Sequence, residues 1–451
     1  MPNPSLSTSS EPVEVHTARL RAQWTRLPES LRTENQICGR TGVGCAATHH
    51  VMERCDFGCT CCYLSKGANR TPPLPFAEVK AQLDAIRAHL GPGGKTQITA
   101  GEVTLLPVDE LGRIVAYARS IGLDPMVMTH GQRFLREPAY LRTLVKDYGL
   151  QRVSIHIDIT QKGRDAPFDR PQTESDLNLL RDRFAALIRR IRSETGCLLT
   201  AASTVTVTTD NIDQMGPVIQ WFLKNADAFR LVNFLPVATV GRTRANDTQR
   251  LSEESLRLAF DLGVGFRLNR TPLHFGHPAC NLLLPLVVID CQDDRAPIVL
   301  EGVRDAYPWD ARFLARMLDG VGARIDWTRG LSRNLPTIAG CLLKRPALLV
   351  EAVGYGAWRG LCLLPALLRA TGRSLRKGKR FRVRPFMLSA HRFMSPNQMQ
   401  TSEGLERLEA CIFKVPVDGE MIPMCTMNAE GVRERIGARL RGESVPTAAA
   451  R

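Results

Sequence analysis

The stretch Cys55–Tyr63 (CDFGCTCCY) is the part of this 451-residue chain whose residue types are best suited to chemistry. Cys55, Cys59 and Cys62 follow the spacing C-x₃-C-x₂-C, and Cys61 lies inside the last gap. Three thiolates on one short loop can each bind one iron of a [4Fe–4S] cube, which leaves the fourth iron without a protein ligand. The spacing alone leaves open a zinc site, a redox dithiol or buried structural cysteines.

The composition limits the type of protein that this chain can be. The chain has 13 cysteines, and residues 1–14 read as a polar, disordered tail without the apolar core of a secretory signal. Metal ligation and reduced thiols are therefore favoured over disulfides, and a cytoplasmic location is predicted. A hydrophobic content of 44% is ordinary for a globular protein, and the length favours two or three domains.

The chain is strongly basic, with 60 lysines and arginines against 45 aspartates and glutamates, a net charge of +15. A basic surface attracts nucleic acid, anionic lipid headgroups or acidic proteins, and the total charge does not choose among them. Aromatic residues make up only 6% of the chain, so stacking platforms for bases are scarce, and no clear nucleic-acid module is found. No run of about 18 uncharged apolar residues occurs, so no membrane-spanning helix is predicted.

Short β-rich runs alternate with helix-period stretches from His49 to about Arg244, which predicts parallel βα units. Apolar residues recur every three or four positions in Pro75–Leu90 and in Thr173–Thr195, as in helices that cover a sheet. Right-handed crossovers place such helices on one side, so the sheet curls into a partial barrel with its chemistry at the carboxyl ends of the strands. The predicted strands are Thr48–Glu53, Gln97–Ala100, Met126–Thr129, Arg152–Ile159, Leu198–Thr208 and Arg230–Val237.

Polar residues lie at or near the ends of three predicted strands. An ammonium group has three donors and no acceptor, so backbone oxygens and one carboxylate at a strand end suit it. The alternating residues of the fourth strand form a polar row, whereas a parallel strand covered on both faces reads as apolar throughout. A strand-ending turn with a solvated glutamate and a strand face that meets solvent are the alternatives. The residues at these strand ends and on this strand face are Gly101, Glu102, Thr129, His130, Gly131, Ser154, His156 and Asp158.

The cysteine spacing and these strand ends together resemble the radical SAM superfamily, over about residues 48–245. In that family the matching second strand end usually reads Gly-Gly-Glu-Pro. Here Ala100 and Val103 replace the first glycine and the proline, while Gly101 and Glu102 remain.

This resemblance implies a [4Fe–4S] cluster held by the three motif cysteines, with S-adenosylmethionine (SAM) on the open iron. Reductive cleavage of SAM gives methionine and a 5′-deoxyadenosyl radical, which abstracts hydrogen from an unactivated carbon. Gly101 and Glu102 are then expected to hold the methionyl group, and the 129–131 turn and the 154–158 face to line the ribose and substrate. No catalytic residue is assigned beyond the cluster and SAM site, and a reductant such as ferredoxin or flavodoxin is an implied partner.

The C-terminal third is similar, in short pieces, to the tetraether lipid synthase branch and to related radical SAM methylases. The similar segments are His277–Cys280 and Cys411–Asn428. Members of that branch also carry cysteines ahead of the motif, as Cys38 and Cys45 stand here, although their upstream set is fuller. Because five cysteines flank glycines, prolines and turns, a second metal site is hypothesised, with reduced buried thiols as the alternative. Its candidate ligands are Cys38, Cys45, Cys280, Cys411 and Cys425.

A basic segment, Arg373–Arg384, follows the apolar run Leu361–Leu368. An apolar patch beside a cationic one can bind anionic lipid, so peripheral membrane contact is one interpretation. A solvated charged face is the other.

The sequence thus predicts an α/β protein, a radical SAM partial (βα)6 barrel of parallel strands with an additional C-terminal α+β domain. The expected divisions are 1–47, a tail and the Cys38/Cys45 loop; 48–245, the barrel; and 246–451, a substrate or auxiliary-cluster domain. A lipid, a peptide and RNA compete as the substrate whose carbon is functionalised. The alternative from another class is a non-catalytic iron–sulfur or zinc-binding protein, which would not cleave SAM.

Overall fold

The structure, a computed structural model, describes residues 11–243, 251–325 and 331–444. Eleven strands of these residues form one sheet. They are β1 (Cys45–Ala47), β2 (Lys95–Ile98), β3 (Asp124–Thr129), β4 (Arg152–His156), β5 (Thr200–Val207), β6 (Phe229–Pro236), β7 (Asn281–Asp290), β8 (Ile298–Glu301), β9 (Arg382–His391), β10 (Phe413–Val417) and β11 (Glu420–Pro423).

The strand order is β11-β10-β1-β2-β3-β4-β5-β6-β9-β7-β8. Every pair from β10 through β1–β6 to β9 is parallel, and the strands at the two edges are antiparallel to their neighbours. Five of the six strands predicted for the barrel are therefore present as β2–β6, and with β1 they stand in chain order in a curled half-barrel. This confirms the predicted α/β fold with a partial parallel barrel.

Fifteen α-helices of the described residues accompany the sheet. They are α1 (Val13–Arg26), α2 (Phe76–Leu90), α3 (Val108–Ser120), α4 (Gln132–Arg136), α5 (Pro138–Lys146), α6 (Asn178–Thr195), α7 (Met215–Lys224), α8 (Glu253–Val264), α9 (Pro308–Val321), α10 (Leu331–Leu343), α11 (Pro346–Leu375), α12 (Pro396–Met399), α13 (Ser402–Glu409), α14 (Met424–Ala429) and α15 (Val432–Leu440).

The main core lies between these helices and one face of the barrel strands. Helix α6 buries Phe184, Ile188 and Ile191 at helical spacing, and these side chains belong to the same apolar cluster as Val153 and Ile155 of β4. Each fully buried side chain of this size contributes about 1.5–3 kcal/mol relative to exposure. The opposite face of β4 is left for polar residues.

The first strand is shorter and lies earlier than the sequence predicts. β1 ends at Ala47, and the predicted strand Thr48–Glu53 does not form, because His50 has a φ of +55° that breaks an extended chain. The Thr48 N–H still donates to the Gln97 carbonyl at 2.9 Å, so the chain leaves the sheet only after that residue. The segment that follows leads directly into the cysteine loop.

The C-terminal strands extend the barrel sheet at both ends. β10 and β11 form a hairpin, with Asp418 and Gly419 at φ of +48° and +87° in its turn. Helix α14 follows β11 directly. β10 pairs with β1 and β9 pairs with β6, so the sheet runs on into residues beyond 251. The predicted boundary at residues 245 and 246 lies outside the described residues, and the domain divisions stay predictions.

Three histidines make stability depend on pH. Burial lowers the pKa of His49 and His50 to about 3 and that of His391 to about 4, from 6.5. Below about pH 6.5 the unfolded chain therefore binds protons that the folded chain does not. We expect the free energy of unfolding to fall by about 1.4 kcal/mol per histidine for each pH unit between about pH 6 and 4. Urea denaturation at stepped pH measures this, and a constant free energy across that range would contradict it.

Candidate active site

The cysteine loop lies across the carboxyl ends of the barrel strands. Beyond β4, the Lys162 carbonyl accepts the Gly58 N–H at 2.8 Å. Beyond β6, the Arg242 N–H donates to the Cys62 carbonyl at 2.7 Å. These backbone bonds fix the loop at the edge where parallel sheets place their chemistry.

The end of β2 approaches the same loop closely. The Gly101 N–H donates to the Met52 carbonyl at 2.8 Å, and the Glu102 N–H donates to the Arg54 carbonyl at 2.9 Å. A Cβ at residue 101 would lie 2.3 Å from the Glu53 carbonyl oxygen, which is backbone and cannot move aside. The glycine of the predicted strand-end motif is therefore required by packing against the loop.

The three motif thiols lie near one another in this loop. Burial raises the pKa of Cys55 to about 12, and neighbouring ionisable groups, including Cys62, add to this increase. Burial also raises the pKa of Cys59, with further increases from Cys62 and Cys55. Metal binding at these sulfurs must therefore displace protons.

The spread of the sulfur atoms distinguishes a cube from a single ion. Among the described residues, the group of His, Cys, Asp or Glu donors whose atoms all lie within 4.8 Å of one another is Cys55, Asp56 and His130. The three motif thiols do not form such a group. One zinc ion with bonds of about 2.3 Å would bring its sulfurs to about 3.8 Å from one another. A cube gives each sulfur its own iron and holds the sulfurs farther apart than a single ion does.

His130, which directly follows β3, contacts the cysteine loop through its ring. Its ring stacks on Phe57 with centroids 3.7 Å apart and 1° between the planes. Its Nδ1 accepts the Gln132 N–H at 3.1 Å, so its proton lies on Nε2, which donates to Asp56 Oδ1 at 2.8 Å. This bond lowers the pKa of Asp56. Since both ring nitrogens are engaged, His130 orients the loop and is not available to an ion.

The carboxylate of Glu102 is 1% exposed and is already satisfied by the chain. Its Oε1 accepts the Thr104 N–H at 3.0 Å and the hydroxyls of Thr104 and Thr129 at 2.5 and 2.6 Å. Its Oε2 accepts the His130 N–H at 2.8 Å. Glu102 thus ties the end of β2 to the 129–131 turn, and a direct contact with an ammonium group stays a prediction.

The polar row predicted on β4 faces a second polar row on β5. Ser154 Oγ lies 3.2 Å from Thr204 Oγ1, and His156 Nε2 lies 3.1 Å from Thr206 Oγ1 and 2.6 Å from Asp158 Oδ2. Burial by itself raises the pKa of Asp158. The charge and hydrogen bond of His156, together with other hydrogen-bond donors, outweigh this effect and lower the pKa to about 2. The structure therefore brings the three predicted residues together, with Asp158 ionised.

Arg164 is a residue of this site that the sequence pattern did not signal. It is buried, and its guanidinium donates to the His130 carbonyl at 2.9 Å and to the His156 carbonyl at 2.6 Å. It also lies over the Phe57 ring at 5.1 Å. Arg164 joins the ends of β3 and β4 to the loop, and it stands in an irregular segment with no motif that could have marked it.

Arg242 reaches the cysteine loop from the end of β6. Its Nη2 donates to Cys62 Sγ at 3.5 Å, and its Nε is buried without a hydrogen-bond partner among the described residues. Gly241, at φ +59°, passes so close that a Cβ would lie 2.3 Å from the Tyr63 backbone. An unsatisfied guanidinium donor beside the thiols suits an anionic group of a ligand.

A second group of cysteines meets away from this loop. Cys280, Cys411 and Cys425 line one cavity together with His277 and Arg407. Burial raises the pKa of Cys411 to about 12 and that of Cys425 to about 11, and the charge of Cys280 raises both further. Three of the five cysteines hypothesised as a second site therefore converge.

The other two hypothesised ligands do not line that cavity. Cys38 and Cys45 lie in an apolar cluster with Leu27 and Ile412, and burial raises the pKa of each to about 12. They are close enough that the charge of Cys45 raises the pKa of Cys38. All 13 cysteines are among the described residues, and none of them forms a disulfide there.

Comparison with known proteins finds no matching family profile. A curated relative, the 7,8-dihydro-6-hydroxymethylpterin dimethyltransferase of Methanocaldococcus jannaschii, is 25% identical over 195 residues, which are 43% of this chain and 36% of that protein. The chain thus matches about a third of the relative's length.

Two solved structures resemble parts of the fold. SuiB from Streptococcus suis, bound to S-adenosylmethionine, has a TM-score of 0.34 and 13% identity over 48% of this chain and 45% of its own. Methylornithine synthase (PylB) has a TM-score of 0.35 and 16% identity over 58% of this chain and 72% of its own. Both structures are less than 25% identical to this chain and have TM-scores below 0.5, and the superfamily resemblance drawn from the cysteine motif stays a prediction.

Proposed function

We propose that this chain is a radical SAM enzyme that functionalises an unactivated carbon of its substrate. The observation that carries this proposal is the three-thiol loop, which backbone hydrogen bonds hold across the carboxyl ends of β2, β4 and β6. Cys55, Cys59 and Cys62 would hold the [4Fe–4S] cluster. When bound, the cluster and SAM supply a 5′-deoxyadenosyl radical.

The chain's own polar groups would position SAM beside the loop. The unsatisfied Nε of Arg242 is a donor suited to the carboxylate of the methionyl group. The 129–131 turn, held in place by Glu102, lies at the neighbouring strand end. His156 is partly exposed, at 29% of its side chain, so it is the member of the polar row that is free to meet ribose or substrate.

Water must be kept from such a site for the chemistry to be selective. The Phe57 ring stacks on His130 and also contacts the guanidinium of Arg164. Tyr63 donates its hydroxyl to the Ala100 carbonyl at 2.6 Å. These contacts support a loop that is rigid and closed around its inner face.

Anaerobic reconstitution with iron and sulfide, followed by dithionite and SAM, tests the proposal. Mass spectrometry of the products should show 5′-deoxyadenosine. The non-catalytic iron–sulfur or zinc-binding alternative yields none, and its absence from fully reconstituted protein would refute the enzyme. Release of S-adenosylhomocysteine in the same assay would favour a methyl transfer, which is the kind of reaction that the name of the curated relative describes.

A second iron–sulfur cluster at Cys280, Cys411 and Cys425 is also proposed. Its support is the set of N–H donors aimed at the sulfurs: Arg407 Nε donates to Cys280 Sγ at 3.3 Å, and the Met394 N–H donates to Cys425 Sγ at 3.4 Å. Arg407 is buried, and a buried cation among thiols is stabilised when those thiols are ionised by metal. His277, whose pKa is lowered by burial, is a neutral candidate for the fourth ligand.

Iron analysis of the reconstituted chain checks this second cluster. We expect about eight irons per chain, falling to about four in Cys411→Ala, because each cube holds four. Cys38→Ala, which removes a cysteine outside the cavity, is the matched control and should keep about eight. About four irons in the unaltered chain would leave the three thiols without a cluster.

The substrate and partners remain proposals. A lipid is the favoured substrate, supported by the short C-terminal similarities and by the exposed apolar helix described below, while a peptide and RNA stay as alternatives. A low-potential reductant such as ferredoxin or flavodoxin would supply the electron, and the cytoplasm is the proposed compartment.

A further inference from the structure

Helix α11 is longer than the sequence pattern indicated, and one of its faces is anchored to the protein. The sequence marks the apolar run Leu361–Leu368, whereas the helix runs for 30 residues. Tyr355 donates its hydroxyl to Asp310 at 2.9 Å, and Arg359 lies 3.5 Å from the same carboxylate. Further along, Ala366 and Ala370 pack into an apolar cluster beside β7 and β8. This face holds α11 along most of its length.

The opposite face of α11 carries an exposed apolar stripe. Its members are 47% to 73% exposed and recur at helical spacing, within about 80° of one another at about 100° per residue. The stripe consists of Val350, Val353, Leu361, Leu364, Leu368 and Leu375. It runs for about 37 Å at about 1.5 Å per residue, so it is far more than an isolated exposed side chain.

Cations follow the stripe at its C-terminal end. Arg373 and Lys377 pair with Asp293 and Asp294. Four further arginines are exposed and form no ion pair with any residue in the described part of the chain. They are Arg369, Arg376, Arg380 and Arg382. The apolar stripe with unpaired cations at its end is complementary to a layer whose interior is apolar and whose surface is anionic.

By length and composition α11 could cross a membrane, with a mean hydropathy of 1.3 and only 6% of its apolar window buried. This departs from the prediction that no such helix exists. The ion pair and hydrogen bond to Asp310 hold one face of α11 against α9. If α11 crossed a membrane, these contacts would be broken and their polar groups would be exposed to hydrocarbon. Lying along the surface leaves them intact and buries only the stripe.

We propose that the α11 stripe and the arginines beyond it form a surface that binds an anionic lipid bilayer, with the helix lying in the interface plane. The stripe enters the boundary between headgroups and acyl chains, and the guanidinium groups meet lipid phosphates. The inference does not depend on the reaction proposed above, because none of these residues touches the cysteine loop.

Flotation of the full chain with lipid vesicles tests this surface. We expect it to float with vesicles of equal parts phosphatidylcholine and phosphatidylglycerol, less with phosphatidylcholine alone, and less again at high salt. Leu361→Gln, Leu364→Gln and Leu368→Gln combined should lower the partition coefficient by about tenfold or more.

A control variant with Leu179→Gln, Leu258→Gln and Leu405→Gln removes three leucines of similar exposure on other helices and should bind like the unaltered chain. Equal binding of both triple variants would overturn the proposal, as would failure of the unaltered chain to float with either vesicle. A dimer in sedimentation that the α11 variant abolishes, without vesicle binding, would show that a second copy covers the stripe instead. Iron content and 5′-deoxyadenosine formation should be unchanged in both variants, which separates this surface from the active site.

Discussion

We expect Cys59→Ala to lose bound iron at the motif site and 5′-deoxyadenosine formation together. Alanine removes one of the three sulfurs, and the backbone bonds of the loop prevent a distant side chain from replacing it. Loss of an outer-shell partner alone costs about 10–100-fold in metal affinity, so loss of a direct ligand should lower affinity and activity by more than about 100-fold. Iron analysis, the absorbance of the reduced and oxidised protein, and product mass spectrometry measure the effect.

The same loop provides the matched control for this variant. Cys61 lies between two motif cysteines, with Thr60 Oγ1 3.8 Å from its Sγ, and Cys61→Ala should keep both iron and product. If Cys61→Ala loses the cluster and Cys59→Ala retains it, the spacing has been assigned to the wrong cysteines. Equal thermal melting of the two apo variants would exclude a difference in folding.

The Glu102→Gln variant should be strongly destabilised. The buried carboxylate accepts hydrogen bonds from the Thr104 and His130 N–H groups and from two hydroxyls. Glutamine replaces one carboxylate oxygen with an NH₂ group, which is a donor and would face other donors. We expect the free energy of unfolding to fall by about 3 kcal/mol, since an unsatisfied buried polar group costs about 1–3 kcal/mol and a charged network more. Urea denaturation of the apo protein measures this directly.

Measuring both the stability and the SAM affinity of the Glu102→Gln variant separates two roles for Glu102. Glu420→Gln, at the exposed first residue of β11, is the control and should change the free energy of unfolding by less than about 0.5 kcal/mol. A Glu102→Gln protein of unchanged stability that binds SAM about tenfold more weakly would make the carboxylate a ligand of the ammonium group. That result would contradict its role as a tie between β2 and the 129–131 turn.

Several features could be predicted because they depend on residues close together in the sequence. The three motif cysteines lie within eight residues, so their loop was recognisable without the fold. Alternation along β4 likewise placed Ser154 and His156 on one face, because side chains of a strand point to opposite sides in turn. The curled parallel sheet followed from the alternation of β-rich and helix-period stretches and from the rule that βα crossovers are right-handed.

Other features required the tertiary structure. Nothing local to Arg164 indicates that its guanidinium bridges the ends of two strands, and only the folded chain shows that Glu102 is saturated by Thr129 and His130. The β1 boundary was misplaced because a single left-handed residue, His50, overrode a β-rich composition.

The sequence by itself determined the cysteine loop, the parallel strands and the polar face of β4, because each is a periodic or closely spaced pattern written in one segment. Only the tertiary structure decided that Cys280, Cys411 and Cys425 meet while Cys38 and Cys45 stay apart from them, and that α11 is anchored on one face and exposed on the other. Such outcomes depend on which distant segments pack together, and chain proximity carries no information about that choice.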